Sequence, residues 1–160
     1  MEVKFWKYSV EINLFLFYNR IMKPEIFTFC DFAQENNGKL TIVGTFDTIV
    51  VRNFPYIHPH ISVVVRLRFD LWEIKDHTFR IEMRDLNGGC AIKPVEGKLQ
   101  TSSGENTTAV SHLVFTIGNI RLFCETVFNF VLFVDDQEIS TSPLYINKSK
   151  SEGQFIRNMQ

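Results

Sequence analysis

Apolar and polar side chains alternate with a period of two along much of the chain. The clearest run is 61–69, where Ile61, Val63, Val65, Leu67 and Phe69 share one face. Ser62, Arg66 and Arg68 share the other, with Val64 the exception. In 78–84, Phe79, Ile81 and Met83 alternate in the same way with Thr78, Arg80, Glu82 and Arg84. In 110–117, Leu113, Phe115 and Ile117 stand against His112 and Thr116. Such patterns predict half-buried strands with one wet face. Residues 25–32 and 127–134 are apolar on both faces and are expected to be buried on both, with 127–134 central.

Turn signals separate these runs. Asn37-Gly38 tolerates positive φ and predicts a hairpin returning along 39–46, with Gly44 a bulge. A further strand at 49–54 continues after a bend. Pro55 and Pro59 remove ladder donors, so 54–60 reads as a loop. A second tight turn at 85–89 leads to a short strand at 90–92. Residues 93–108, with Pro94, Gly97 and Gly104, read as a long loop. Pro143 within 138–146 predicts an edge strand, and 148–160 form a polar tail. About eight short strands without a helical period imply two antiparallel sheets face to face. The predicted fold is an all-β sandwich, immunoglobulin-like or related, over 22–147.

Residues 1–21 show no clean period, whereas Met22-Lys23-Pro24-Glu25 opens the strand pattern. Met22 is therefore expected to be the natural start and 1–21 an upstream extension, the alternative being a loosely docked terminal segment. Glu11 and Asn13 interrupt the apolar stretch that would make a signal peptide.

Composition narrows the function classes. Phenylalanine accounts for 16 of the 160 residues, which favours half-buried pleated surfaces. A net charge of −1 supplies no field that would gather nucleic acid or an anionic membrane. No apolar run approaches the roughly 18 residues of a membrane span. Cys30, Cys90 and Cys124 are far apart and odd in number, which fits buried thiols in a reducing cytoplasm.

Chemistry is sparse. His58-Pro59-His60 presents two imidazoles, but a metal site needs three or four ligands and no third is near. Asp70, Asp76, Asp85, Asp135 and Asp136 invite comparison with calcium-binding loops, yet Asp85 and Asp135 occupy turn positions that favour Asp for local hydrogen bonding alone. No nucleophile elbow, phosphate-binding glycine loop or paired Cys and His signature occurs. Cys30 and Cys124 sit in or beside Phe-rich strands and read as inert packing. His77 and His112 read as surface residues. Arg66, Arg68, Arg80 and Arg84 would form a basic face only if their strands were neighbours. No catalytic residue, metal ligand or cofactor is assigned. Function on sandwiches usually sits in loops, so Phe54, Tyr56, His58 and His60 are the binding candidates.

Several stretches together carry a resemblance. They are Met22-Lys-Pro-Glu, Cys30-Asp-Phe-Ala, the run Gly38-Lys-Leu-Thr-Ile-Val-Gly-Thr-Phe-Asp and Ile117-Gly-Asn. The closing Phe128-x-Phe130-x-Leu132, Val134-Asp135 and Ser142-Pro143-Leu144-Tyr145 belong with them. The chain resembles a family of small bacterial domains of unknown function over about 22–147. In that family a Tyr is usual where Phe128 stands, and a Gly makes the turn where Asp136 stands. The resemblance implies a sandwich and no activity. The expected protein is a non-catalytic cytoplasmic module that binds an unknown protein partner. The alternative is a small-ligand binder, for example of carbohydrate, which predicts a concave face with Trp72 or Tyr56 exposed.

Overall fold

The computed structural model describes residues 22–102 and 106–150. The expectation for 1–21 and most of the polar tail lie outside the described residues. Nine strands are described: β1 (Lys23–Asn36), β2 (Lys39–Phe46), β3 (Thr48–Val51), β4 (Tyr56–Asp70), β5 (His77–Arg84), β6 (Val95–Leu99), β7 (Thr108–Leu122), β8 (Thr126–Val134) and β9 (Gln137–Lys148). They form two sheets, β2-β1-β4-β7 and β3-β9-β8-β5-β6. A single 3-10 turn, Leu71–Glu73, joins β4 towards β5 across the sandwich.

The strands follow from the alternation. The odd-numbered side chains of β4 from Ile61 to Phe69 are all fully buried between the sheets. Phe130, Leu132 and Val134 of β8 answer them from the second sheet. The Phe29 and Phe130 rings meet across the core, with centroids 4.7 Å apart. β8 is the middle strand of its sheet, as its two-faced apolar pattern requires. Its outer residue Phe133 is covered by the Arg80 guanidinium 4.1 Å above the ring. Arg80 and Arg84 both reach the carboxylate of buried Glu82 between them. The Asn37-Gly38 turn has positive φ at both residues (51° and 75°), the geometry that matches strand twist.

Five expectations need correction. Residues 54–60 are not a loop, because β4 begins at Tyr56 and pairs with β7 through Tyr56↔Leu122, Ile57↔Arg121 and His58↔Ile120. The strand tolerates Pro59 because that pair alone is skipped, opposite Asn119 with φ 53°. Part of 93–108 is strand β6, which pairs with β5 from His77↔Leu99 to Ile81↔Val95. Gly97 suits that strand because it lies opposite the Phe79 ring. β9 is internal, between β3 and β8. Pro143 is accommodated because β3 covers only Tyr145 to Lys148. The β3–β9 pairing is parallel, in an otherwise antiparallel fold. Finally, Lys148, read as tail, belongs to β9 and pairs with Val51.

Candidate functional site

The four binding candidates lie at one end of the sandwich, where β4 starts and β7 finishes. The Phe54–Pro55 bond is cis. Phe54 is half-buried and packs on the core, while Tyr56 keeps 38% of its surface exposed. Two apolar residues that sequence reading did not single out join them. Ile57 is 57% exposed, and Phe123, directly after the cross-strand partner of Tyr56, is 71% exposed. Ile57 lay within the stretch read as a loop, and Phe123 lay outside the predicted strands. The Tyr56↔Leu122 pair brings Phe123 to the same end of the sandwich.

The two histidines do not act as a pair. His58 is half-buried, with its ring 6.5 Å from Phe46 and 6.3 Å from Tyr56. Its Nδ1 is buried without a hydrogen-bond partner. Burial pushes the His58 pKa down, because the imidazolium would lose solvation there. His60 is exposed. Among the described residues no group of three or more His, Cys, Asp or Glu is arranged to hold a metal ion.

A second region is an open polar groove of about 970 Å³ on the outer face of the first sheet. The β1–β2 hairpin (Glu35, Gly38) and the segment after β6 (Gln100, Ser102) flank Arg66, Arg68 and His112. The pairing of β1 with β4 shifts between Pro24 and Ile26, leaving Glu25 without a cross-strand partner. Its carboxylate spans both arginines, accepting from Arg66 Nε at 2.6 Å and Arg68 Nε at 2.5 Å. Those hydrogen bonds, from Arg68 first and Arg66 second, hold Glu25 below the usual carboxylate range. Arg68 Nη1 donates to Thr108 Oγ1 at 2.9 Å. Arg66 Nη1 donates to His112 Nε2 at 3.0 Å. A guanidinium has donors only, so that nitrogen of His112 accepts and the ring is neutral. Burial and then the Arg66 charge push the His112 pKa down accordingly.

The four arginines considered as a basic face divide between the sheets. Arg66 and Arg68 are on β4 and share Glu25, whereas Arg80 and Arg84 are on β5 and share Glu82. Each pair is thus offset by a carboxylate and no single basic face forms.

His77, expected at the surface, is 2% exposed. Its ring stacks on Phe69 at 5.0 Å. Nδ1 lies 2.8 Å from Asp135 Oδ2, and Nε2 lies 2.8 Å from the Glu73 carbonyl oxygen. The reason is topological: the strand start tucks under the 3-10 turn and the β8–β9 turn, which sequence spacing does not reveal. Asp135 also accepts from the Thr78 N–H at 3.0 Å. Burial raises its pKa, but the Thr78 N–H, His77 and Lys75 outweigh that and leave it lowered. Asp85 accepts from the N–H groups of Asn87 and Gly89 within its own turn. Asp85 and Asp135 lie at opposite ends of β5, so these turn aspartates do not converge. Cys30 is buried, as expected, but Cys90 and Cys124 are exposed, because Cys90 follows a turn and Cys124 lies in the bend between β7 and β8.

A family profile for a family of unknown function, DUF6941, matches residues 25–147. The chain belongs to DUF6941. The match spans the sandwich of this DUF6941 protein from β1 to the last turn of pairing in β9. No curated protein matches the chain. Among solved structures, it is similar to Pseudomonas fluorescens alkylpurine DNA glycosylase AlkC bound to DNA containing an abasic site analog. That likeness has a TM-score of 0.42 and 9% sequence identity, covering 79% of the DUF6941 chain and 30% of the other.

Proposed function

We propose that this DUF6941 protein is a non-catalytic module of the bacterial cytoplasm that docks a protein partner on its aromatic end. The observation that carries the reading is the concentration of Tyr56, Ile57 and Phe123 at that end, 38%, 57% and 71% exposed. Aromatic anchors presented on paired strands lose little conformational freedom on binding, which is why such residues dominate protein contacts. Three free cysteines, two of them exposed, fit a reducing compartment. No helix among the described residues is long and apolar enough to cross a membrane.

The carbohydrate alternative draws less support. Trp72 is 65% exposed, but neither it nor Tyr56 lines the polar groove. Sugar recognition needs ring and concavity together. The test is a quantitative affinity capture from the native host with the wild-type chain, Tyr56→Ala and Phe123→Ala. A protein retained stoichiometrically by the wild type and lost from both variants is expected. Identical capture profiles for all three would refute the docking site.

A further inference from the structure

Each sheet has two edges, and three of the four are blunted. β3 is only 4 residues long. β6 has 5 residues, including Glu96 and Lys98. β2 begins with Lys39, and its ladder skips Gly44, whose φ is 67°. Shortness, charge and local irregularity are the devices by which sheet edges avoid recruiting another strand. β7 itself carries none of them over most of its length, and the segment after β6 borders the groove that its residues 108–114 line. It is 15 residues long and, among the described strands, pairs with β4 alone. Its register is unbroken over 108–118, a stretch without Pro, Lys, Arg, Asp or Glu.

The inner side chains at this edge are also incompletely covered. Leu113, Phe115 and Ile117 pack against the core but remain only half-buried. An uncharged, unbroken edge whose apolar row stays partly open has the form of half an interface.

We propose that β7 pairs antiparallel with β7 of a second copy about a two-fold axis, joining two 4-stranded sheets into one continuous sheet. A two-fold antiparallel contact is self-complementary, because each copy offers the other the same patch. Over 108–118 no like charges meet, and His112, the one titratable group there, already accepts from Arg66. The half-buried rows of the two copies would extend the core across the axis. At about 3.4 Å per residue the edge is roughly 35 Å long. With an edge about 15 Å deep, the pair buries on the order of 1,000 Å² in all, near the lower bound for a specific interface. A second copy is favoured over a foreign strand because it offers the same uncharged, half-open apolar row on the same face.

The test is sedimentation velocity of the full chain across the micromolar range, with hydrogen exchange read on the β7 amides. The expected result is a species of twice 18.7 kDa and β7 protection that rises with concentration. Thr116 is exposed on β7, so Thr116→Lys leaves the fold intact by circular dichroism. With the axis at Leu113, the centre of 108–118, it sets a charge opposite the second copy's Val110 and should weaken association about tenfold. Val43→Lys, at a 54% exposed position of β2, should leave association unchanged. A monomer at every concentration overturns the proposal, and protected β7 amides in such a monomer would assign the edge to another strand. A dimer that ignores Thr116→Lys overturns it too, by placing the contact elsewhere. The surface runs along the strand and not at its end, so its failure leaves the aromatic docking site standing.

Discussion

Removing the Phe130 ring should cost this protein a large fraction of its stability. Phe130 is fully buried in the middle strand of its sheet, and its ring lies 4.7 Å from that of Phe29 on the opposite sheet, with planes at 59°. A buried aromatic withdraws about 150–250 Å² from water. At about 25 cal/mol per Å² that is roughly 4–6 kcal/mol as an upper bound. Truncations of this kind measure about 3–5 kcal/mol once partial collapse of the cavity is included. The tilted pair adds about 0.5–1.5 kcal/mol beyond area. Phe130→Ala is therefore expected to lose about 4 kcal/mol, against a total of roughly 5–15 kcal/mol for a domain. Phe130→Leu, which keeps most of the volume, should lose about 1–2 kcal/mol. Urea denaturation of the wild type, Phe29→Leu, Phe130→Leu and the double variant measures the coupling directly. A loss below about 1.5 kcal/mol for Phe130→Ala would refute the packing argument. Additivity within about 0.3 kcal/mol would refute the ring–ring term.

The remaining expectations concern strain and pH. A Cβ at Gly97 would stand 2.6 Å from Cε1 and 2.9 Å from Cζ of Phe79, a ring packed against the core. Gly97→Ala should thus cost about 1–3 kcal/mol, read as a lowered melting temperature, and an unchanged value would show that the ring moves freely. Burial holds His58 below its ordinary value of 6.5, so the folded chain binds fewer protons than the unfolded one. Its contribution is fully present above 6.5 and is lost as pH falls through the lower folded value. His58→Phe also removes the unpartnered Nδ1, and should add about 1 kcal/mol and flatten stability below neutral pH. An unchanged slope in the stability–pH curve would assign it to His112, whose pKa is also pushed down.

The strands with clean alternation were readable from the chain because burial of one face sets a period of two, as in Ile61 to Phe69 and Phe79 to Met83. What local pattern could not show was set by partners far along the chain. Pro59 reads as a breaker until Asn119, with φ 53°, stands opposite it and lets the ladder skip one pair. Gly97 reads as loop until the Phe79 ring fills the space a side chain would take. Pro143 does sit where β9 lacks a neighbour on one side, but the strand as a whole is internal because β3 pairs further along. At the site, Tyr56 was visible as an aromatic beside proline. Ile57 follows it directly, but Phe123 became its companion only through the β4–β7 pairing. The Glu25 bridge to Arg66 and Arg68 spans 41 and 43 residues, beyond any spacing rule. His77 is buried by two turns, each of which meets one of its ring nitrogens.

The parallel pairing of β3 with β9 sets an order on the birth of the protein. Only Asp47 separates β2 from β3, so the chain leaves the first sheet for the second within a single residue. Yet the ladder partner of β3, residues Tyr145 to Lys148, is made last among the strands. A ribosome adding about 5–20 residues per second needs on the order of ten seconds to cover 52–136. During that interval β1 and β2 can pair and β4 joins them as it is made, while Thr48 to Val51 have emerged with open amides and no strand to receive them. The second sheet closes when β9 slots between β8 and β3, and a nascent chain paused before that point presents an unfilled strand position.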